Sequence, residues 1–241
     1  MTTEIRIDGL ANARDLGGLT RQDGSTTPSG VFLRSESLGH VSRSGWQTIR
    51  ASGVRTVIDL RRPSERSTDV PADLVYRCVD LDGADETEFW TEYEADGRWA
   101  TPLYYSAHLH ALTHRTADVL RTIADAPPGA ILFHCSAGWD RTGLVAALLL
   151  RALDTSVDDA VADYMRSFEN APRMERLHGR SFEANARRRV LEAHGHTAES
   201  AFLEAYENLD LSAWFDMSGI DTGTRDAIWT WRGAVPPPRE N

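Results

Sequence analysis

A short loop of small and polar residues separates an apolar strand from an apolar helix at residues 130–150. This segment, AILFHCSAGWDRTGLVAALLL, opens with an uninterrupted apolar run, as is typical of a strand buried inside a sheet. Cys135 follows that run, so we expect it at the carboxyl edge of the sheet, where α/β proteins place their ligands. The segment therefore predicts an α/β fold with a ligand site at this edge.

Other short apolar runs predict further strands of the same sheet. They occupy residues 31–34, 54–60 and 74–79, and each is bounded by turn residues or charges. Helical stretches are predicted between them at residues 42–52 and 104–126. Strands that alternate with helices indicate a central, mostly parallel sheet flanked by helices on both faces.

The chain after Arg141 is predicted to be helical almost to its end. Residues 170–196 are rich in Arg and Ala, which favours a helical lid over a core helix, with a solvated helix face as the alternative. Residues 235–241 are expected to form a flexible tail. No repeat or linker divides the chain, so residues 1–241 are predicted to be one domain with a C-terminal helical layer. The predicted helices of that layer span residues 142–153, 157–168, 173–194, 198–208 and 224–231.

Composition excludes several classes of protein. The chain has 26 basic residues, all of them Arg, against 36 acidic residues, and the net charge of −10 argues against a general binder of nucleic acid. The longest apolar stretch, residues 144–150, is far shorter than the ~20 residues that cross a bilayer, so no stable membrane insertion is expected. The oligomeric state is left open by the composition.

The N-terminal residues bear on cellular location. Glu4, Arg6 and Asp8 stand where a secretory signal would need an apolar stretch. We therefore expect a cytoplasmic protein, and export by a signal-independent route stays open.

Cysteine and histidine spacing gives no sign of a metal site. Cys78 and Cys135 are too few for a disulfide framework or a cysteine zinc site. No second His or Cys lies at ligand spacing from His134, which is predicted to orient the loop instead. No metal or other cofactor is expected.

The loop after the strand has the features of an anion-binding site. Gly138 lets the backbone curl tightly, and the next helix directs its first amides and its positive dipole end into the loop. The backbone amides of Ser136, Ala137 and Trp139 would then surround a phosphate group together with that of Gly138. The guanidinium of Arg141 would close the other side of the anion.

Cys135 is a candidate nucleophile in this environment. Helix-start amides and a nearby cation favour the thiolate, and thiolate attack on a phosphate ester gives a thiophosphate that water can hydrolyse. The leaving alkoxide or phenolate needs a proton, and Asp140 is the nearest candidate donor. Asp59, which ends an apolar strand, is the second candidate, with pairing to Arg61 or Arg34 as its alternative role.

Two further residues have roles that stay open. The hydroxyl of Thr142 is placed either to hydrogen-bond the Cys135 sulfur or to fill the interior of the helix. Arg14 precedes a glycine turn, where it either ties the turn down or contacts the ligand.

The loop HCSAGWDRTG resembles the His-Cys-x5-Arg-Thr-Gly signature of the cysteine-dependent protein tyrosine phosphatases. Other motifs narrow the resemblance to the bacterial tyrosine/serine phosphatase family, which also includes phosphoinositide-dephosphorylating members. The resemblance implies a protein-tyrosine-phosphatase-like fold, with Cys135 as nucleophile, Arg141 as phosphoryl binder and Asp140 as acid and base. The additional motifs are NARDLGG at residues 12–18, FLRSESL at residues 32–38, TVIDLRRPSER at residues 56–66 and DYMRS at residues 163–167.

Trp139 departs from the family pattern, which commonly has Lys at this position. A lysine would add a cation for extra phosphate groups, whereas an indole offers an apolar face for stacking on an aromatic leaving group. We therefore expect aryl phosphates to be favoured over polyphosphoinositides, with packing into the helical layer as the alternative role of Trp139.

These features together predict a phosphomonoester hydrolase that acts through a phosphocysteine intermediate. A protein tyrosine phosphatase is favoured, with dual specificity open, acting on a phosphorylated protein or a small phosphomonoester. A phosphoinositide or small-molecule phosphatase is the alternative among enzymes. Two alternatives come from other classes. One is a non-catalytic phosphate-binding module, in which Trp139 blocks the pocket while Arg141 still binds, and the other is a thiol oxidoreductase. The presence of Cys135, Arg141 and Asp140 together argues against the binding module. The lack of a close second Cys argues against the oxidoreductase.

Overall fold

A six-stranded sheet lies at the centre of the computed structural model, which describes residues 3–66 and 70–237. The strands are β1 (Thr3–Glu4), β2 (Arg14–Asp15), β3 (Phe32–Ser35), β4 (Val54–Asp59), β5 (Val75–Cys78) and β6 (Ala130–His134). Their spatial order is β1-β2-β3-β6-β4-β5. The β1–β2 and β2–β3 pairs are antiparallel, and the other three pairs are parallel. The predicted α/β fold with a mostly parallel sheet is confirmed.

Helices account for most of the remaining chain. The single helix predicted for residues 104–126 is wrong, because the backbone leaves the helical region at the buried residue Leu112. The helices α2 and α9 were not predicted, since nine and eight residues are too few to show a clear apolar period. The described helices are α1 (Arg43–Ala51), α2 (Thr87–Ala95), α3 (Tyr105–Ala111), α4 (Thr113–Ala124), α5 (Asp140–Ala152), α6 (Val157–His178), α7 (Ala184–Ala193), α8 (Ala198–Glu207), α9 (Leu211–Ser218) and α10 (Thr222–Trp229).

The long helix α6 continues through Pro172, in the region where the sequence predicted a break between two helices. Ala171 and Met174 are buried, so core packing holds the second half of the helix in place. The helix ends at Gly179, which adopts the left-handed conformation (φ 64°) that favours glycine at a helix C-terminus. Residues 170–178 therefore belong to a core-packed helix, and only the part of the predicted lid after Gly179 leaves it.

Apolar side chains cover the sheet on both faces. Along β6, Ile131 and Phe133 point into the larger core, which the C-terminal helices cover, whereas Leu132 points into a smaller core beneath α1. This alternation follows from the two-residue period of a strand. Because both faces are buried, the strand positions the loop that follows it firmly.

Two observations concern the ends and the surface of the chain. Residues 238–241 of the predicted flexible tail lie outside the described residues, while Val235 packs against the core.

In the part of the chain that the structure describes, no helix combines the length and the apolar character needed to cross a membrane.

A buried ionic network ties α6 to the sheet. Asp163 of α6 accepts a hydrogen bond from Arg14 Nε of β2 (2.7 Å) and one from Arg34 Nη1 of β3 (2.5 Å). Burial alone would raise the pKa of Asp163, but the two arginines outweigh it and hold that pKa below its ordinary value. The carboxylate is therefore charged at neutral pH and bridges two strands and a helix.

We predict that Asp163→Ala lowers the free energy of unfolding by about 3–5 kcal/mol, because it leaves two buried guanidinium groups without their counter-charge. Glu169→Ala is the matched control on the same helix, since Glu169 pairs with Arg166 in an exposed position. The control should change stability by at most about 1 kcal/mol. Urea unfolding of both variants gives the comparison, and equal losses would show that the buried network does not stabilise the fold.

Candidate active site

Cys135 lies at the base of a cavity at the carboxyl edge of the sheet. It directly follows the last residue of β6, and its side chain is almost fully buried at 2% exposure. The cavity has a volume of about 370 Å³, and Asp140 and Arg141, at the start of α5, line it together with Cys135. The strand, loop and helix predicted for residues 130–150 thus bring these three side chains to one place.

The carbonyl groups of the loop are held from outside the cavity. The side-chain amide of Asn12 donates to the carbonyl of Ala137 (3.1 Å), and Arg34 Nη2 donates to the carbonyl of Gly138 (2.9 Å). In a trans peptide the N–H points opposite to the C=O. The loop N–H groups that follow these carbonyls therefore point away from Asn12 and Arg34.

Gly138 is needed for this loop shape. Its φ of 64° is one that side chains with a Cβ rarely adopt, and a Cβ here would lie 2.4 Å from the carbonyl carbon and oxygen of Ser35. The loop therefore packs directly on the end of β3.

Acidic side chains orient Arg141. Its Nη1 and Nη2 donate to the two carboxylate oxygens of Glu65 at 2.6 and 2.9 Å, and Nη1 also lies 3.2 Å from Asp82 Oδ2. Burial works against the charge, but these carboxylates raise the pKa of Arg141 well above its ordinary value. Arg141 therefore presents a fixed positive charge to the cavity.

Asp140 is paired with an arginine of the helical layer. Its Oδ1 accepts a hydrogen bond from Arg187 Nη1 (2.6 Å), and the same guanidinium lies 4.5 Å from the centre of the Trp139 ring. The main-chain carbonyl of Asp140 accepts a hydrogen bond from the Tyr105 hydroxyl (2.7 Å). Hydrogen bonds therefore hold both the side chain and the main-chain carbonyl of Asp140.

Asp59 does not reach the cavity, so its prediction as the second proton donor is wrong. Arg61 Nε and Nη2 donate to its two oxygens at 2.9 and 2.8 Å, and the Tyr76 hydroxyl donates at 2.6 Å. Burial alone would raise the pKa of Asp59, but these bonds and His134 lower it to about 2. Pairing with Arg61, the alternative that the sequence left open, is what the structure contains.

Trp139 does not face the cavity, so the predicted stacking on a leaving group is wrong. Its side chain has 0% exposure and packs edge-on against Phe168, with the ring centres 4.3 Å apart. Burial of a large indole in the helical layer is favoured by the hydrophobic effect. For the same reason the side chain does not block the cavity, as the non-catalytic alternative would require.

The supporting residues lie around the loop. His134 Nδ1 donates to the carbonyl of Cys135 (3.1 Å), and burial lowers the pKa of His134, so the ring is neutral. Arg14 is bound to Asp163 and Asn12 and does not line the cavity, so its role is to stabilise the fold. The buried hydroxyl of Thr142 has no hydrogen-bond partner among the described residues, so the bond to sulfur, one of the two roles left open for it, is not formed.

Asp82 is a cavity residue that the sequence analysis missed. It follows β5, whose carboxyl end lies at the same edge as Cys135, so the rule that located Cys135 also indicates Asp82. Burial raises the pKa of Asp82, against the lowering effect of Arg141 and Arg62. Other cavity residues that were not predicted include Glu65, Trp99, Arg180 and Arg187.

The described residues hold two cysteine thiols and no cluster that could bind a metal ion. Cys78 is exposed on β5, and both cysteines are free thiols. Within residues 3–66 and 70–237, no group of three or more His, Cys, Asp or Glu side chains is arranged to hold a metal ion.

Comparison with known proteins identifies relatives of this chain. A Cupriavidus necator protein named "Putative tyrosine-protein phosphatase" is 30% identical over 173 residues, covering 68% of this chain and 63% of the relative. The tyrosine-protein phosphatase of Nostoc commune is 32% identical over 143 residues, covering 57% and 48%. The triple specificity protein phosphatase PtpB of Mycobacterium tuberculosis is 29% identical over 200 residues, covering 70% of each chain. The chain thus spans about three fifths and about half of the length of the first two relatives.

The family match covers the fold and the whole site. The model of the tyrosine phosphatase family aligns with residues 5–228, a span that runs from the segment before β2 to the last helix and includes the Cys135 loop. The family resemblance that the loop motif indicated is therefore confirmed, and this chain belongs to the tyrosine phosphatase family.

Proposed function

We propose that this chain hydrolyses phosphomonoesters through a covalent intermediate on Cys135. One observation carries the proposal: Cys135 lies at the base of a cavity directly beside Arg141, which Glu65 holds in a two-pronged contact. A buried thiol beside a fixed guanidinium is an arrangement suited to a nucleophile that attacks an anionic group.

The phosphoryl group of the substrate occupies the loop in this proposal. The N–H groups of Ser136, Ala137, Gly138 and Trp139 receive its oxygens. Asn12 and Arg34 bind the carbonyls of Ala137 and Gly138, which supports this direction for the N–H groups of Gly138 and Trp139. Arg141 binds two oxygens with its planar fork, and the N-terminal end of α5, including Thr142, adds its dipole to the attraction.

The reaction has two steps. The Cys135 thiolate attacks phosphorus, the S–P bond forms, and the P–O bond to the leaving group breaks while a carboxylic acid donates a proton to the leaving oxygen. Water then attacks phosphorus, the carboxylate takes the proton of that water, and the S–P bond breaks to release phosphate and the thiolate. The enzyme is unchanged after both steps, and no oxidant or reductant is consumed.

Asp140 and Asp82 are two of the carboxyl groups that line the cavity with Arg141. We assign the proton transfers to Asp140, which is part of the loop itself, as the family motif implies. Asp82 is the competing group, because burial raises its pKa and so favours the protonated form that a donor needs. Their variants distinguish the two assignments, as described below.

Phosphotyrosine suits the shape of the cavity. Trp90, Tyr104 and Phe182 line it together with the half-exposed Trp99, so its walls offer apolar contact to a phenyl ring. The relative from Mycobacterium tuberculosis is named as a triple specificity phosphatase, which supports testing phosphoserine and other phosphomonoesters as well. A phosphorylated protein in the cytoplasm is the proposed partner.

The domain organisation and the lid are part of the same proposal. We propose one phosphatase domain over residues 1–241, with residues 180–196 of the predicted lid segment as its lid. Five residues support this role by lining the cavity: Arg180, Ser181, Phe182, Glu183 and Arg187.

We predict that Cys135→Ser abolishes turnover of p-nitrophenyl phosphate and retains binding of inorganic phosphate, because the hydroxyl does not ionise near neutral pH whereas the loop amides remain. Cys78→Ser is the matched control, since Cys78 is exposed and outside the cavity. Steady-state kinetics and calorimetric titration with phosphate give the two readouts. Turnover that survives in Cys135→Ser would place the nucleophile elsewhere.

We predict that Gly138→Ala weakens phosphate binding by roughly tenfold or more, because the added Cβ displaces the loop and its charge-assisted hydrogen bonds. Gly219→Ala is the control, since Gly219 has the same φ of 64° and open space around its Cβ position. Both variants should lose about 1–3 kcal/mol of stability from backbone strain. If only stability changes in Gly138→Ala, the loop shape does not determine phosphate binding.

We predict that Asp140→Asn slows the hydrolysis of alkyl phosphates by about 10²–10⁴-fold and that of p-nitrophenyl phosphate much less, because a good leaving group needs no proton. Asp82→Asn is measured on the same series of leaving groups. If Asp82→Asn shows this dependence on the leaving group and Asp140→Asn does not, Asp82 is the proton donor instead of Asp140.

A further inference from the structure

Arg180 is an exposed arginine at the mouth of the cavity. It lies in the turn between α6 and α7, and its Nη2 donates to the hydroxyl of Ser136 at 2.8 Å. Its guanidinium also lies 4.4 Å from the centre of the Phe182 ring. The Arg180 side chain thus contacts Ser136, the first loop residue after Cys135.

Arg180 differs from the other three cavity arginines in its partners. Arg141 is paired with Glu65 and Asp82. Arg62 is paired with Asp82 and Glu94, and Arg187 is paired with Asp140. No carboxylate in residues 3–66 and 70–237 forms an ion pair with Arg180. Among the four arginines that line the cavity, Arg180 is thus the one whose charge no described carboxylate neutralises.

The position of Arg180 identifies which part of a substrate it meets. Cys135 is buried, whereas Ser136 is partly exposed and Arg180 is exposed, so Arg180 stands at the rim above the phosphoryl site. Trp99, at 49% exposure, lines the same cavity. A group bound at this rim belongs to the substrate outside its reacting phosphate.

One acidic residue of the same turn acts against anion binding. Glu183 lines the cavity, is exposed, and forms no ion pair within the described residues. Its carboxylate reduces the attraction of Arg180 for an anion, so its removal should strengthen that attraction.

We propose that Arg180 is a specificity residue that binds an acidic side chain next to the phosphotyrosine of a peptide substrate. The inference rests on the proposed function and adds a substrate preference to it. A peptide is favoured over a lipid headgroup because the half-exposed indole of Trp99 lines the same cavity, and its apolar face suits the peptide residues beside the phosphotyrosine.

The test uses two phosphotyrosyl peptides that differ only in Glu or Gln beside the phosphotyrosine. We expect wild type to prefer the Glu peptide by about two- to fivefold in kcat/KM, as for an exposed ion pair, with a smaller preference in high salt. Arg180→Gln should remove the preference, and Arg180→Glu should reverse it. Glu183→Gln should increase it.

The control is Arg188→Gln on α7, because Arg188 packs on Phe168 and does not line the cavity. It should keep the wild-type ratio between the two peptides. Calorimetric binding of both peptides to Cys135→Ser gives the same comparison without turnover. A wild type that hydrolyses neither these peptides nor p-nitrophenyl phosphate would therefore contradict the proposed function, while the binding ratio still tests Arg180.

Three results would overturn the role of Arg180. The first is an unchanged peptide ratio in Arg180→Gln. The second is an equal loss on both peptides with weaker binding of inorganic phosphate, which would place Arg180 on the reacting phosphoryl group. The third is a selective loss on soluble inositol phosphates or on vesicles that contain phosphoinositides, which would identify a lipid headgroup as the ligand.

Discussion

The buried carboxylate of Asp163 is the contact on which the rest of the structure depends. It binds Arg14 of β2 and Arg34 of β3, and Arg34 in turn holds the carbonyl of Gly138 at 2.9 Å. Charges buried this deeply are tolerated only when they are paired with an opposite charge. The same ion pair therefore fixes α6 to the sheet and gives the Cys135 loop its shape.

Paired charges also organise the cavity itself. Glu65 and Asp82 orient Arg141, and Arg187 orients Asp140, so the side chains beside Cys135 are in place before a substrate arrives. The planar fork of arginine makes this possible, because one guanidinium contacts several oxygens at defined angles. A site with its donors already oriented loses less entropy when it binds an anion.

The sequence alone determined the frame of the site. Apolar periodicity located the four longer strands, and the carboxyl ends of parallel strands meet at one edge, which placed Cys135 at a ligand site. Asp140 and Arg141 follow within the same short loop, so their proximity to Cys135 is a consequence of the chain itself. The family motifs then indicated the fold and the chemistry, and the match over residues 5–228 confirmed the family.

The tertiary structure alone decided which side chains face the cavity. Trp139 turns into the helical layer and Asp59 pairs with Arg61, although both stand next to residues that were placed correctly. Asp82, Arg180 and Arg187 reach the cavity from elements far from the loop in sequence. The spacing of apolar residues along the sequence indicates a strand or a helix. The direction of a side chain at a loop depends instead on contacts between segments that are distant in sequence. Those contacts form only when the whole chain packs.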